Sequence, residues 1–176
     1  MLFRSGLASL WKNRGMSIEA KMCMWESIVV PTVLYGSESW VLSAEERQRL
    51  NVFDMRCLRR VLGVSVMDRV RNVDIRRLCG SKVSLSDRAD RNILKWFGHI
   101  ERMEEVRLTK RIYISEVEGN RGRGRPKRRW RDAVNDVLAR GGLDMQEGER
   151  RARNRGEWKL FIYGGRRAMN VPNPPS

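Results

Sequence analysis

SAEERQRLNVFDMRCLRRVLG, residues 43–63, is the stretch that decides the fold. It opens as a capping box. The Ser43 hydroxyl is placed to accept the amide three residues on while Glu46 reaches back to the Ser43 amide, so two orphan donors of a helix start are met reciprocally. Leu50, Phe53, Cys57, Leu58 and Val61 then recur at three- and four-residue intervals, the period of a helix with one packed face. Arg47, Arg49, Arg56, Arg59 and Arg60 fall largely away from that stripe, and Gly63 supplies a left-handed stop. One face packs and the other is positive.

The same period continues outward in both directions. Ser17 caps a helix carrying Ile18, Met22, Trp25 and Val29, which Pro31 is expected to end or kink because proline removes a backbone donor. Residues 32–40 fit either a continuation of that helix or a short extended stretch around Gly36. Downstream, a short helix is expected over 72–79, before Gly80. A longer one follows Ser84, with Leu85, Ala89, Ile93, Trp96, Phe97 and Ile100 inward and Gly98 as a local weak point. Residues 106–117 have mixed periodicity and fit a helix or a β-like stretch. Trp130, Val134, Val137 and Leu138 mark a helix that stops at Gly141 and Gly142. Asp144 with Glu147 opens a last helix that presents Arg150, Arg151, Arg153 and Arg155 and buries Trp158 and Phe161. The expected fold is all-α: a helical region over 1–118, a basic Gly/Arg linker with C-terminal helices over 119–170, and a disordered tail over 171–176 with three prolines.

Composition points to the partner. Of 176 residues, 41% are hydrophobic, enough for the core of one ordinary domain or two small ones. Lys and Arg number 36 against 21 Asp and Glu, a net charge of +15, and the pI is near 10.9. A polyanion is the expected partner of such a chain. The excess is mainly C-terminal, since residues 119–176 hold 15 basic and 6 acidic side chains. No apolar run approaches the roughly 20 residues that span a bilayer. Residues 1–14 show no cleavage-site pattern of small residues, so a nuclear or cytoplasmic location, not a secreted one, is expected. Cys23, Cys57 and Cys79 form no CxxC pair and share a single histidine, His99. They read as reduced thiols, and neither a metal nor another cofactor is expected.

The sharpest local feature is the run Arg121, Gly122, Arg123, Gly124, Arg125, Pro126, Lys127, Arg128, Arg129, Trp130, Arg131, in which seven of eleven residues are cationic. Glycine lets a backbone approach phosphate closely, proline holds it extended, and guanidinium groups form forked hydrogen bonds with phosphate oxygens. Arg121, Arg123, Arg125, Lys127, Arg128, Arg129 and Arg131 are therefore the principal candidate phosphate contacts, with Arg56, Arg59 and Arg60 as a second surface. Arg123 to Pro126 also matches the Arg-Gly-Arg-Pro of AT-hook peptides, and a solvated charged linker or an import signal gives the same composition. The carboxylate pairs Asp87 with Asp90 and Asp132 with Asp136 are explained by helix capping and by ion pairing, so no catalytic set emerges. The six tryptophans sit mostly on apolar stripes and read as core, with Trp40, near a turn, as the exception.

Several signatures coincide in order: Pro31, Tyr35-Gly36-Ser37-Glu38-Ser39-Trp40, the arginine-bearing segment from Leu50 to Gly63, Trp96-Phe97-Gly98-His99-Ile100 with Arg102-Met103, then Gly124-Arg125-Pro126 and Arg129-Trp130. Over roughly residues 18–158 the chain resembles the C-terminal region of reverse transcriptases from non-LTR (LINE-type) retrotransposons, from the end of the palm through the thumb and beyond. The family's polymerase uses metal-binding aspartates of a Tyr-x-Asp-Asp motif upstream of the matched region. This chain contains no such motif, so the resemblance carries over no catalytic residue. It implies a thumb-like helical bundle that grips a template-primer duplex of RNA, DNA or a hybrid through its backbone and packs against a palm. Two alternatives remain open: the end of a full endonuclease and reverse transcriptase, or a small AT-hook-like DNA binder.

Overall fold

The computed structural model describes residues 11, 13, 15–115 and 128–164, which form helices and turns with no strand among them. The all-α expectation holds at that level. Contacts group the chain into two compact units, one of Met1–Gly36 with Leu42–Ala89 and the other of Ser37–Val41 with Asp90–Ser176. The expected boundary at 118/119 and the tail at 171–176 lie outside the described residues. The chain passes between the units after Gly36, after Val41 and, within a helix, after Ala89.

The first unit begins with α1, Ile18–Met24, capped by the Ser17 Oγ, which accepts the Ala20 amide at 3.2 Å. Pro31 does not end the run. A π-helical turn over Trp25–Val29, closed by the Val30 amide on the Trp25 carbonyl, leads into α2, Val30–Val33, and leaves the proline in that helix's first turn. The π-helical register ahead of it accommodates the ring inside the continuous run. Ser27 Oγ and Thr32 Oγ1 donate to the Cys23 and Ile28 carbonyls at 2.8 and 2.7 Å, satisfying acceptors along the same stretch. Ile18 stands exposed, and Lys21 joins Met22, Trp25 and Val29 on the buried side.

The long helix α3, Ala44–Leu62, carries both halves of its capping box: Glu46 N–H donates to Ser43 Oγ at 3.2 Å and Ser43 N–H to Glu46 Oε2 at 2.8 Å. It ends at Gly63 with φ 70°, where the Val64 amide reaches back to the Arg59 carbonyl at 2.9 Å. The buried face differs from the expected stripe. Met55, Cys57, Leu58 and Val61 are buried, but Phe53 is exposed and Asp54 lies inside. Asp54 accepts Arg76 Nη2 at 2.6 Å and the Leu85 amide at 3.3 Å, so one carboxylate ties α3 to the two helices after it. Those are α4, Asn72–Leu78, and α5, Leu85–Glu101.

The second unit is built on the α5 residues from Asp90 onward. With them come α6, Leu108–Ile114, α7, Trp130–Arg140, α8, Met145–Arg153, and α9, Arg155–Tyr163. The undecided segment is thus helical over Leu108–Ile114. Ile93, Leu94, Phe97, Val134, Val137, Leu138, Ala152, Trp158 and Ile162 form one buried cluster, in which each large apolar side chain contributes about 1.5–3 kcal/mol on burial. The expected single last helix is two. Asn154 breaks it, because its Oδ1 accepts the Gly156 and Glu157 amides at 2.9 and 3.2 Å and starts α9 afresh. Gly98 is not a weak point but a notch, since a Cβ there would overlap the Trp158 indole.

Candidate nucleic-acid interface

Because Leu58 and Val61 turn one side of α3 inward, the opposite side faces solvent. Glu45, Gln48, Arg49, Val52, Phe53 and Arg56 line a shallow groove along it, and Arg60 continues the same side one turn further. Arg56 and Arg60 are exposed. Arg49 is exposed as well and reaches Glu45 at 2.6 Å, a surface pair of the kind that contributes little and exchanges readily. Val52 and Phe53 interrupt the cations with exposed apolar surface, and the Phe53 ring lies 6.2 Å from the buried Trp25 ring.

Arg59, placed by sequence with Arg56 and Arg60, has a different job. It is half-buried and donates through Nη2 to the Val70 carbonyl at 3.1 Å and Asn72 Oδ1 at 2.7 Å. Its guanidinium holds the 63–71 loop against α3.

In the second unit, Arg128, Arg129 and Arg131 gather at the start of α7. Arg128 pairs with Asp136, the Arg129 amide donates to Asp132 Oδ2 at 2.8 Å, and Arg131 reaches Glu149 at 3.1 Å with its guanidinium 5.5 Å from the Tyr113 ring centroid. Arg121, Arg123, Arg125 and Lys127 lie outside the described residues. On α8, Glu147 holds Arg150 and Arg151, whereas Arg153 at its end and Arg155 at the start of α9 stand exposed. Arg102 donates to the Ala152 carbonyl at 2.5 Å, and its pKa is pulled down first by burial and then by the charge of Arg155. The repulsion between these two guanidinium groups marks a local excess of positive charge.

The candidate carboxylates are engaged elsewhere. Asp87 accepts the Ser84 hydroxyl at 2.7 Å, Asp90 pairs with Arg140 at 3.1 Å, Asp132 receives the Arg129 amide, and Asp136 holds Arg128. Among the described residues no three His, Cys, Asp or Glu side chains converge in a way that could hold a metal ion. Cys57 and Cys79 are buried, and burial pushes both thiols up to about 11, while Cys23 is exposed. His99 is exposed beside Trp96, with ring centroids 5.3 Å apart. Trp11, Trp25 and Trp158 are buried, and Trp40, Trp96 and Trp130 are half-buried. No described helix is long and apolar enough to cross a membrane.

Sequence reasoning left Arg49 and Phe53 out of the site. Their signal was present in the spacing 49, 53, 56, 60, which keeps one side of a helix. Compared with family models, curated proteins and solved structures, the chain matches none.

Proposed function

We propose that this chain is a nucleic-acid-binding segment corresponding to the thumb and post-thumb region of a non-LTR retrotransposon reverse transcriptase. It grips a template-primer duplex through phosphates and brings no catalytic centre of its own. The observation that carries this reading is Arg56 and Arg60 standing exposed on α3, opposite its packed side, in a chain of net charge +15. A grip on changing sequence requires cations on phosphates and no base readout, and this is the chemistry such a face offers. The 121–131 run, with the described Arg128, Arg129 and Arg131 at its end, extends the phosphate contacts, and a palm domain is the protein partner that the thumb role implies.

Titration of the chain against an RNA/DNA hybrid, an AT-rich duplex and a GC-rich duplex tests the proposal. Saturable binding to all three, tightest on the hybrid and with little difference between the DNA duplexes, is the expected result. Binding confined to AT-rich DNA would replace the grip with an AT-hook contact at Arg123 to Pro126. Absence of saturable binding would overturn the proposal.

A further inference from the structure

The 63–71 loop joins α3 to α4 and carries at its tip two neighbouring apolar side chains almost wholly in water, Val66 at 76% and Met67 at 87% exposure. Held this far out, the two side chains keep in water apolar surface that burial would reward at about 25 cal/mol per Å².

The loop is also held in shape from several sides. At its entrance the Val64 amide donates to the Arg59 carbonyl at 2.9 Å, and the Ser65 amide donates to Asp68 Oδ2 at 2.6 Å. Past the tip the Arg69 amide closes a turn on the Val66 carbonyl at 3.2 Å, with Arg69 itself at φ 52°. Left-handed backbone at a long side chain is unfavourable and persists only where its surroundings impose it. At the exit, Arg59 grips the Val70 carbonyl and Asn72 side chain. The tip is therefore presented with much of its ordering entropy already spent.

Charge names the occupant. Arg60 precedes the loop, Arg69 and Arg71 follow the tip, and all three are exposed, while the one carboxylate at the tip, Asp68, is taken up by the Ser65 amide. An apolar point bracketed by guanidinium groups fits a nucleic-acid duplex, with the cations on phosphates and the point between bases. Two side chains are too little apolar surface for a stable hold on a lipid bilayer, which takes a whole amphipathic face or two anchoring signals together. We propose that Val66 and Met67 form a wedge that inserts at a weakly stacked step or the end of the duplex bound by this chain. The wedge rests on the phosphate-grip reading above and adds to it a distortion of the bound duplex.

The test uses the full chain and a duplex carrying 2-aminopurine at a pyrimidine–purine step, where unstacking is easiest and brightens the probe. Binding of the unaltered chain is expected to raise emission. The Val66→Ser/Met67→Ser variant is expected to bind with the same salt dependence and lose the rise, while Val66→Ile/Met67→Leu keeps it. Coincident thermal melts of the three proteins show that the fold is unchanged. Binding without a rise, or a rise retained in the serine variant, overturns the wedge and leaves the phosphate grip standing. Loss of phosphatidylserine-vesicle binding in the serine variant with the rise retained assigns the tip to lipid instead. No binding by any of the proteins overturns both readings.

Discussion

The indole of Trp158 occupies the space that a Cβ on Gly98 would fill, and from there its Nε1 donates to the Leu94 carbonyl at 2.9 Å. A glycine inside a helix normally costs about 1 kcal/mol relative to alanine, so Gly98→Ala would ordinarily stabilise α5. Here the added methyl meets a ring fixed by its own hydrogen bond and by Phe97 and Phe161, whose centroids lie 5.6 and 5.3 Å from it. Overpacking of this kind costs about 1–3 kcal/mol. Urea denaturation of Gly98→Ala is expected to show a lower midpoint at unchanged slope. A raised midpoint would mean that Trp158 does not sit in the notch.

Asp54 and Arg76 form the other decisive pair. The carboxylate is 2% exposed and the guanidinium 23% exposed, at 2.6 Å. Removing the cation strands a buried charge, so Arg76→Ala is expected to cost about 3–5 kcal/mol. Asp54→Asn, which retains an acceptor for the Leu85 amide, is expected to cost less. A double-mutant cycle by chemical denaturation measures the coupling, and additive losses would show that the two side chains do not cooperate.

These two pairs also show where sequence stops being informative. The Ser43 and Glu46 box and the Gly63 stop were legible because each is settled within a few residues by backbone donors, acceptors and a positive φ. The inward position of Asp54, and with it the outward position of Phe53, depends on partners 22 and 31 residues away, which periodicity alone does not reveal. Gly98 looked like a flaw because the ring that needs its absent side chain comes from α9. Asn154 was overlooked because a cap inside a continuous polar run resembles one more solvent-facing position. Of the candidate site, Arg56 and Arg60 were legible as residues off the apolar stripe. Arg59 was not, because its diversion to Val70 depends on how the loop folds back.

Glu147 supplies a prediction in pH. The side-chain hydrogen bonds of Arg150, at 2.7 Å, and then of Arg151, at 2.6 Å, pull its carboxyl down to about 2 from 4.5. A carboxyl depressed by folding adds stability above its unfolded pKa and loses it as pH falls through its folded one. The contribution of this cluster is therefore complete above 4.5 and fades toward 2. Carboxyl-carbon NMR titration is expected to place the Glu147 midpoint near the lower value. A midpoint near 4.5 would show the arginines turned away in solution.

The thiols should divide by burial. Only the thiolate reacts at an appreciable rate, and Cys57 and Cys79 are both buried and raised to about 11. Titration of the native chain with an aromatic disulfide reagent at pH 8 is expected to modify exposed Cys23 quickly, with Cys57 and Cys79 responding only after denaturant is added. Rapid modification of all three would contradict the packing of α3 against α4.

The most direct test of the phosphate grip is the salt dependence of duplex binding in three proteins: the unaltered chain, Arg56→Ala/Arg60→Ala, and Arg59→Ala. Each lost phosphate contact lowers the slope of log K against log salt by about 0.9 on B-DNA. Arg56→Ala/Arg60→Ala is predicted to weaken binding to every duplex alike with a slope reduced by nearly two such units. Arg59→Ala is predicted to lower the melting temperature and to reduce the slope by less than the double variant, because its guanidinium serves the loop and not a phosphate. An unchanged slope in the double variant, or a loss confined to one duplex sequence, would contradict a phosphate grip on this face of α3.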